Sequence, residues 1–260
     1  MTAINEVVKE FLPLLKSMAR GKYAISIAGS VGKNVHDEKS DIDFRLFYEE
    51  KADSEEFKRL RAEFIKKAKQ FTQKGVKVDD LWPRSISEVD TLLDEWFSGN
   101  GNTIDFVWTV WGYHPLTDIQ NQYVIEDEYG IISGWHKRLS DYPLKLKEKI
   151  VNENIASVDY WRGDYHFKSK MERGDAVFLC GLTSKIMHQL ILILYAVNEK
   201  YYVGDGNNLR FMKDFEIKPE GFEKRAKEIL YPGTGEDMYE KQYYELCRLI
   251  DEVKQMAGRE

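Results

Sequence analysis

Cysteine is scarce in this chain of 260 residues: Cys180 and Cys247 are all there is, too few for a disulfide framework. Both fall in apolar helical patterns, so the expectation is two buried thiols in a reducing, cytoplasmic setting. Histidine is also sparse, and no two of His36, His114, His136, His166 and His188 have metal-ligand spacing, which argues against a zinc site. No long hydrophobic run occurs. The most apolar window, residues 186–197, contains His188 and Gln189 and reads as a buried helix, too short for a membrane span. Positive charge is not in excess: the net charge of −6 argues against a protein that grips long nucleic acid by neutralising phosphates. Residues 1–19 mix acids and bases at helical spacing and show no signal-peptide pattern. Repeats and low-complexity tracts are absent.

What the chain does have is enough apolar material for a real core, 43% hydrophobic with 13% aromatic, in a length that suits one large domain or two ordinary ones. The N-terminal half alternates helical and strand patterns. Helices are expected over 4–19, 54–73 and 87–97, the second keeping Phe57, Leu60, Phe64, Ala68 and Phe71 on one stripe. Strands are expected over 23–28, 41–49, 76–82 (stopped by Pro83), 103–111 and 122–125, with 103–111 the most β-like run. From about residue 143 strand signals vanish, and helices are expected over 143–150, 153–172, 174–200, 207–215, 219–230 and 236–257. The fold class is therefore α+β: a mixed domain over 1–142, then a helical bundle over 143–260.

Residues 29–43, Gly-Ser-Val-Gly-Lys-Asn-Val-His-Asp-Glu-Lys-Ser-Asp-Ile-Asp, carry the chemistry. Gly29-Ser30 follows an apolar run, and Asp41-Ile42-Asp43 opens the next. Strand residues two apart share a face, so Asp41 and Asp43 project together while Ile42, Phe44 and Leu46 face the other way. Paired carboxylates repel unless a cation lies between them, and Mg²⁺ suits them because it takes hard oxygen ligands and keeps places for substrate phosphates. A Gly-Ser turn beside such an ion offers N–H groups and a hydroxyl to those phosphates. Together these parts describe a metal-dependent nucleotidyl transfer site. Ser30 and Lys33 are the expected phosphate contacts. Arg45, on the same face as the aspartates, either neutralises the pair or touches a phosphate.

This arrangement resembles the signature of the polymerase β-type nucleotidyltransferase superfamily: Gly-Ser, a spacer of about ten residues, then Asp-x-Asp on a strand. The two-part layout also resembles the kanamycin and lincosamide nucleotidyltransferases, whose helical domain helps to build the acceptor pocket. That looser likeness lies in His114-Pro115-Leu116-Thr117, residues 123–130, Glu172-Arg173-Gly174-Asp175 and residues 198–202. The resemblance implies two Mg²⁺ ions, ATP as donor, a small hydroxyl-bearing acceptor and a third carboxylate on a neighbouring strand. Asp105, opening the hydrophobic run at Ile104, is the choice for that carboxylate, with Asp79 and Asp80 as rivals. Glu172 and Asp175 are candidate proton acceptors of the kanamycin-enzyme type, against a simpler reading as helix-capping charges. Trp108, Trp111, Tyr113 and Trp135 read as a cluster that packs a core or stacks on a flat ligand.

The sequence thus leads to a Mg²⁺-dependent enzyme moving a nucleoside monophosphate onto a small acceptor such as an aminoglycoside or lincosamide. The site residues are Asp41, Asp43 and Asp105 for metal and catalysis and Gly29, Ser30 and Lys33 for the nucleotide. The alternatives are a nucleotide-sensing or partner-binding module on the same fold, and transfer to a protein or RNA end.

Overall fold

A computed structural model describes residues 2–206 and 208–259. The chain divides into two compact units. The first comprises Met1–Trp96, Asn100–Asn102 and His114–Asp141; the second comprises Phe97–Gly99, Thr103–Tyr113 and Tyr142–Glu260. The architecture is α+β, a mixed sheet with helices followed by a helical region.

In the first unit, α1 (Thr2–Met18) leads into β1 (Ala19–Ile27), the one-turn α2 (Gly29–Gly32), β2 (Phe44–Lys51) and α3 (Ser54–Gln73). Then come β3 (Trp82–Ser85), α4 (Ile86–Phe97), α5 (Pro115–Gln120), β4 (Tyr123–Glu126) and α6 (Ile131–Arg138). The sheet order is β3-β2-β1-β4, with β1 antiparallel to β2 and β4 and β2 parallel to β3. Strand alternation sorts the two central strands. Ile25, Ile27, Phe44 and Leu46 join Phe11, Leu15, Leu60 and Phe64 of α1 and α3 in one buried apolar cluster. On the other face, Ser26 pairs in register with Arg45 and Ala24 with Phe47, and Phe47 meets Trp135 of α6 edge-on at 4.8 Å. Helix α3 starts as its sequence dictates, with Asp53 accepting from the N–H groups of Glu55 and Glu56.

Several expectations are corrected. Pro83 lies inside β3 instead of ending a strand before it; β3 is an edge strand, where a missing N–H is tolerated. Ahead of it, only Val78 forms a bridge, to Ile42. Residues 103–111 are not a strand. They form a loop closed by a single bridge between Ile104 and Tyr113, and Val107, Trp108 and Val110 are exposed. The β-branched and aromatic residues there gave a strand signal, but no neighbouring strand is present to receive it.

The second unit holds α7 (Leu144–Gly163), α8 (Tyr165–Glu172), α9 (Ala176–Val197), α10 (Asn208–Phe211), α11 (Phe222–Leu230) and α12 (Met238–Met256). The expected break at 150–153 is absent, and the chain instead breaks at Asp164, whose side chain caps α8 by accepting from the His166 N–H. The helix expected from 207 begins at Asn208; residue 207 itself lies outside the described residues. Helix α9 packs against α7, α8, α11 and α12 and supplies the largest share of the apolar core, from Leu179 to Val197. Among the described residues it alone is long and apolar enough to cross a membrane by length and composition. Cys247 is buried as expected, whereas Cys180 is exposed, on the outward side of α9.

Candidate active site

The candidate site forms where β1 ends and β2 begins. The Ala28 N–H donates to the Asp43 carbonyl at 2.9 Å, clamping the two strand ends together. Gly29 follows with φ +58°, and a Cβ built there would fall 2.0 Å from Asp43 Oδ2. Only glycine meets both demands, the left-handed backbone and the close approach of a carboxylate. Ser30 stands next, on α2; its Oγ is buried and has no hydrogen-bond partner among the described residues. A buried orphan hydroxyl is costly and asks for a ligand. Lys33 closes the short helix, its N–H donating to the Gly29 carbonyl at 3.2 Å.

Ile42 is buried in the apolar cluster, which turns Asp41 and Asp43 to the opposite face as the alternation predicts. Ile42 also bonds the next segment: its N–H donates to the Lys77 carbonyl and its carbonyl accepts from the Asp79 N–H, both at 3.1 Å. Val78 shares the apolar cluster, so Asp79 falls on the side of Asp41 and Asp43. Asp79 thus supplies a third carboxylate from the segment neighbouring the Asp-x-Asp motif. Asp80 does not join it: it is exposed and pairs with Arg61 at 2.5 Å.

Burial pushes the Asp43 carboxyl up to about 6; Arg45 opposes the rise, and Asp41, Asp79 and Asp118 add to it. Three further carboxylates therefore bear on the partly buried Asp43 carboxylate. Burial also lowers Lys33 from its ordinary range, while Asp118 and Asp43 raise it. Arg45 is fully engaged. It is 6% exposed, and its Nε and Nη2 donate to the two carboxylate oxygens of Asp118, both at 3.0 Å. The Arg45 guanidinium lies 5.1 Å from the centre of the Trp82 ring, and that of Arg84 lies 4.4 Å from it.

Asp118 was not foreseen. In the sequence it is one acid in the first turn after Pro115, far from residue 45 and matching no motif. Its role shows only once α5 is set against the sheet.

Asp105 belongs to the second unit and stands, exposed, in the loop 103–113. The reason for choosing it, a place on a strand of the sheet, does not hold. The four aromatic residues also divide. Trp135 packs in the first unit and donates to Asp90, while Trp108 stacks on Phe106 and Trp111 stacks on His188 at 4.4 Å in the second. Asp205 holds that loop by accepting from the Val110 and Trp111 N–H groups. Asp175 caps α9 by accepting from the Phe178 N–H and pairs with Lys170, and Glu172 lies 3.9 Å from Lys168. Capping and surface pairing account for both acids.

The donor set suits Mg²⁺. Among the described residues no three His, Cys, Asp or Glu side chains make a ready all-protein cage. Mg²⁺ seldom uses one: it is held by one or two carboxylates and completed by water and substrate phosphates. Asp41 and Asp43 provide that pair, beside an orphan hydroxyl and a lysine suited to phosphate.

Residues 8–99 match the nucleotidyltransferase domain family. This supports the likeness of residues 29–43 to the polymerase β-type superfamily. The matched stretch contains Gly29, Ser30, Lys33, Asp41, Asp43 and Asp79 but stops before Asp118. Residues 108–205 match a second family, described as a domain of unknown function (DUF4037), which runs through segments of both units. No curated protein matches the chain.

Proposed function

We propose that this protein transfers a nucleoside monophosphate from ATP to a hydroxyl of a small acceptor, releasing pyrophosphate. One observation carries the reading: the Asp43 carboxylate, loaded with negative neighbours, lies against Gly29 at the head of a loop whose Ser30 hydroxyl is buried and unpartnered. Carboxylates crowded this way cost stability, and a cation with a triphosphate relieves both the crowding and the orphan hydroxyl.

Asp41 and Asp43 would hold Mg²⁺, which supplies charge neutralisation at the phosphates and lowers the pKa of a bound hydroxyl. Ser30 Oγ and Lys33 Nζ bind the triphosphate, and the tight turn at Gly29 sets them beside the aspartates. The acceptor oxygen forms a bond to the α-phosphorus as the bond to the bridging oxygen of pyrophosphate breaks, and its proton passes to Asp79. Asp79 has this role, in place of Asp105, because it is hydrogen-bonded through its backbone to the Asp-x-Asp segment and is exposed to an incoming group.

The looser likeness to the kanamycin and lincosamide enzymes makes an aminoglycoside or lincosamide the first acceptor to try, and the acidic balance of the chain suits a cation. The test is incubation of the full chain with labelled ATP and Mg²⁺ against aminoglycosides, lincosamides and small metabolites. The expected result is pyrophosphate release matched one for one by labelled adduct. ATP binding without pyrophosphate from any acceptor would instead favour a nucleotide-sensing module.

A further inference from the structure

The segment 115–122 is locked to the site by a chain of buried contacts. The Ser26 hydroxyl, on the chemical face of β1, donates to Gln122 Oε1, and Gln122 Nε2 donates to the Asp118 carbonyl. Ser26 is fully buried and Gln122 nearly so. A Cβ on Gly32 would fall 2.0 Å from the Asn121 carbonyl oxygen, so the end of α5 lies directly against the loop that carries Lys33. Asp118 then grips Arg45 with both oxygens, and its side chain is only 11% exposed.

A buried Arg–Asp pair is a poor way to gain stability, since taking both charges out of water costs about as much as their attraction returns. Its location suggests another use. Arg45 shares the face of Asp43 two residues away and attracts it. Without a carboxylate to hold it, that guanidinium is a cation two residues from Asp43, able to turn onto it and take the place of a metal ion. Asp118 also lies close enough to act on Lys33, the expected phosphate ligand.

We propose that Asp118 is a positioning residue for nucleotide binding: it holds Arg45 off the Asp41–Asp43 pair. This rests on the nucleotidyl-transfer reading above. It also makes α5, which lies beyond the nucleotidyltransferase match at 8–99, a working part of the site.

The test measures ATP binding in the presence of Mg²⁺ by calorimetry, with thermal melts and steady-state kinetics, for the full chain and its variants. Asp118→Asn leaves Arg45 buried without its counter-charge, so it lowers the melting temperature whatever its role. It should also bind ATP–Mg²⁺ at least about tenfold more weakly, with the loss in KM for ATP and not for the acceptor. The deciding variants remove Arg45 as well or instead. Arg45→Met leaves Asp118 buried without its counter-charge, and Arg45→Met with Asp118→Leu removes both charges and keeps the volume. With no guanidinium left to reach Asp43, both should bind ATP–Mg²⁺ close to the wild-type affinity, and Asp118→Glu should recover most of it. Wild-type affinity in Asp118→Asn, or equal losses in Asp118→Asn and Arg45→Met, would mean that the pair is only structural, and the proposal would fall alone. No ATP binding by the wild-type chain would overturn the nucleotidyl-transfer reading and this proposal with it. Should the paired variant not fold, Asp118→Asn set against Arg45→Met decides: a loss confined to Asp118→Asn supports the positioning role, and equal losses overturn it.

Discussion

Two faces of one sheet are built from alternate residues of the same two strands, and they serve opposite ends. Ile25, Ile27, Phe44 and Leu46 point one way and are sealed under α1 and α3. Ser26, Asp43 and Arg45 point the other way and place a polar hydroxyl and two charges in buried or half-buried positions. The first face stabilises through burial, each large side chain contributing roughly 1.5–3 kcal/mol. The second gives some of that back by crowding carboxylates. A residue shifted by one place along β2 would exchange the two roles, which is why register matters here more than composition. The comparison teaches that the stable face holds the charged one in its crowded arrangement.

The comparison breaks most visibly on the apolar face. Phe44→Ala empties a fully buried position stacked on Phe11 at 5.4 Å. It should cost about 3–5 kcal/mol in urea unfolding. Loss below about 1 kcal/mol would mean that α1 and α3 do not bear on this face as described. On the chemical face the largest effect is on turnover. Asp79→Asn should lower it about a hundredfold, the usual scale for a lost base or ligand, with little change in melting temperature. Asp80→Asn, which only releases Arg61, should leave turnover nearly intact. If Asp105→Asn abolishes turnover and Asp79→Asn does not, the third carboxylate comes from the second unit.

These tests follow the boundary between what the sequence shows and what it hides. The apolar face was legible because period-2 alternation and helical stripes are local signals: α3 runs Ser54–Gln73 as expected, and Ile42 is buried while Asp43 is only half-buried. That Gly29, Ser30, Lys33, Asp41 and Asp43 come together was legible because they lie within fifteen residues of one another around two adjoining strand ends. That residues 77–79 and not 103–111 lie beside the Asp-x-Asp segment was not, since β propensity in 103–111 outweighed that of 76–80, and propensity says nothing about which run finds a partner. Asp118 was hidden for a different reason. Its partners Arg45, Ser26 (through Gln122) and Lys33 come from elements far back in the chain, and only tertiary packing joins them.

The smallest expected effect is also the one of opposite sign. In the metal-free protein Asp43 titrates at about 6, above the ordinary 3.8, chiefly because burial penalises its charge. A carboxyl raised in the folded state binds its proton more tightly there than in the unfolded chain. Its contribution to stability is therefore present below the ordinary value and is lost as pH rises from about 4 through about 6. Above that window the ionised carboxylate destabilises the fold by something on the order of 1–3 kcal/mol. Asp43→Asn removes the charge and keeps the shape, so at pH 8 the variant should be more stable than wild type by about that amount, and at pH 4 the two should converge. Mg²⁺ with ATP should reverse the order at pH 8, because a ligand that needs the ionised carboxylate stabilises only the wild type. Melting curves at pH 4, 6 and 8, with and without Mg²⁺–ATP, check both halves. A variant less stable than wild type at pH 8 without ligand would show that the aspartate is there for structure, and that the second face is no more strained than the first.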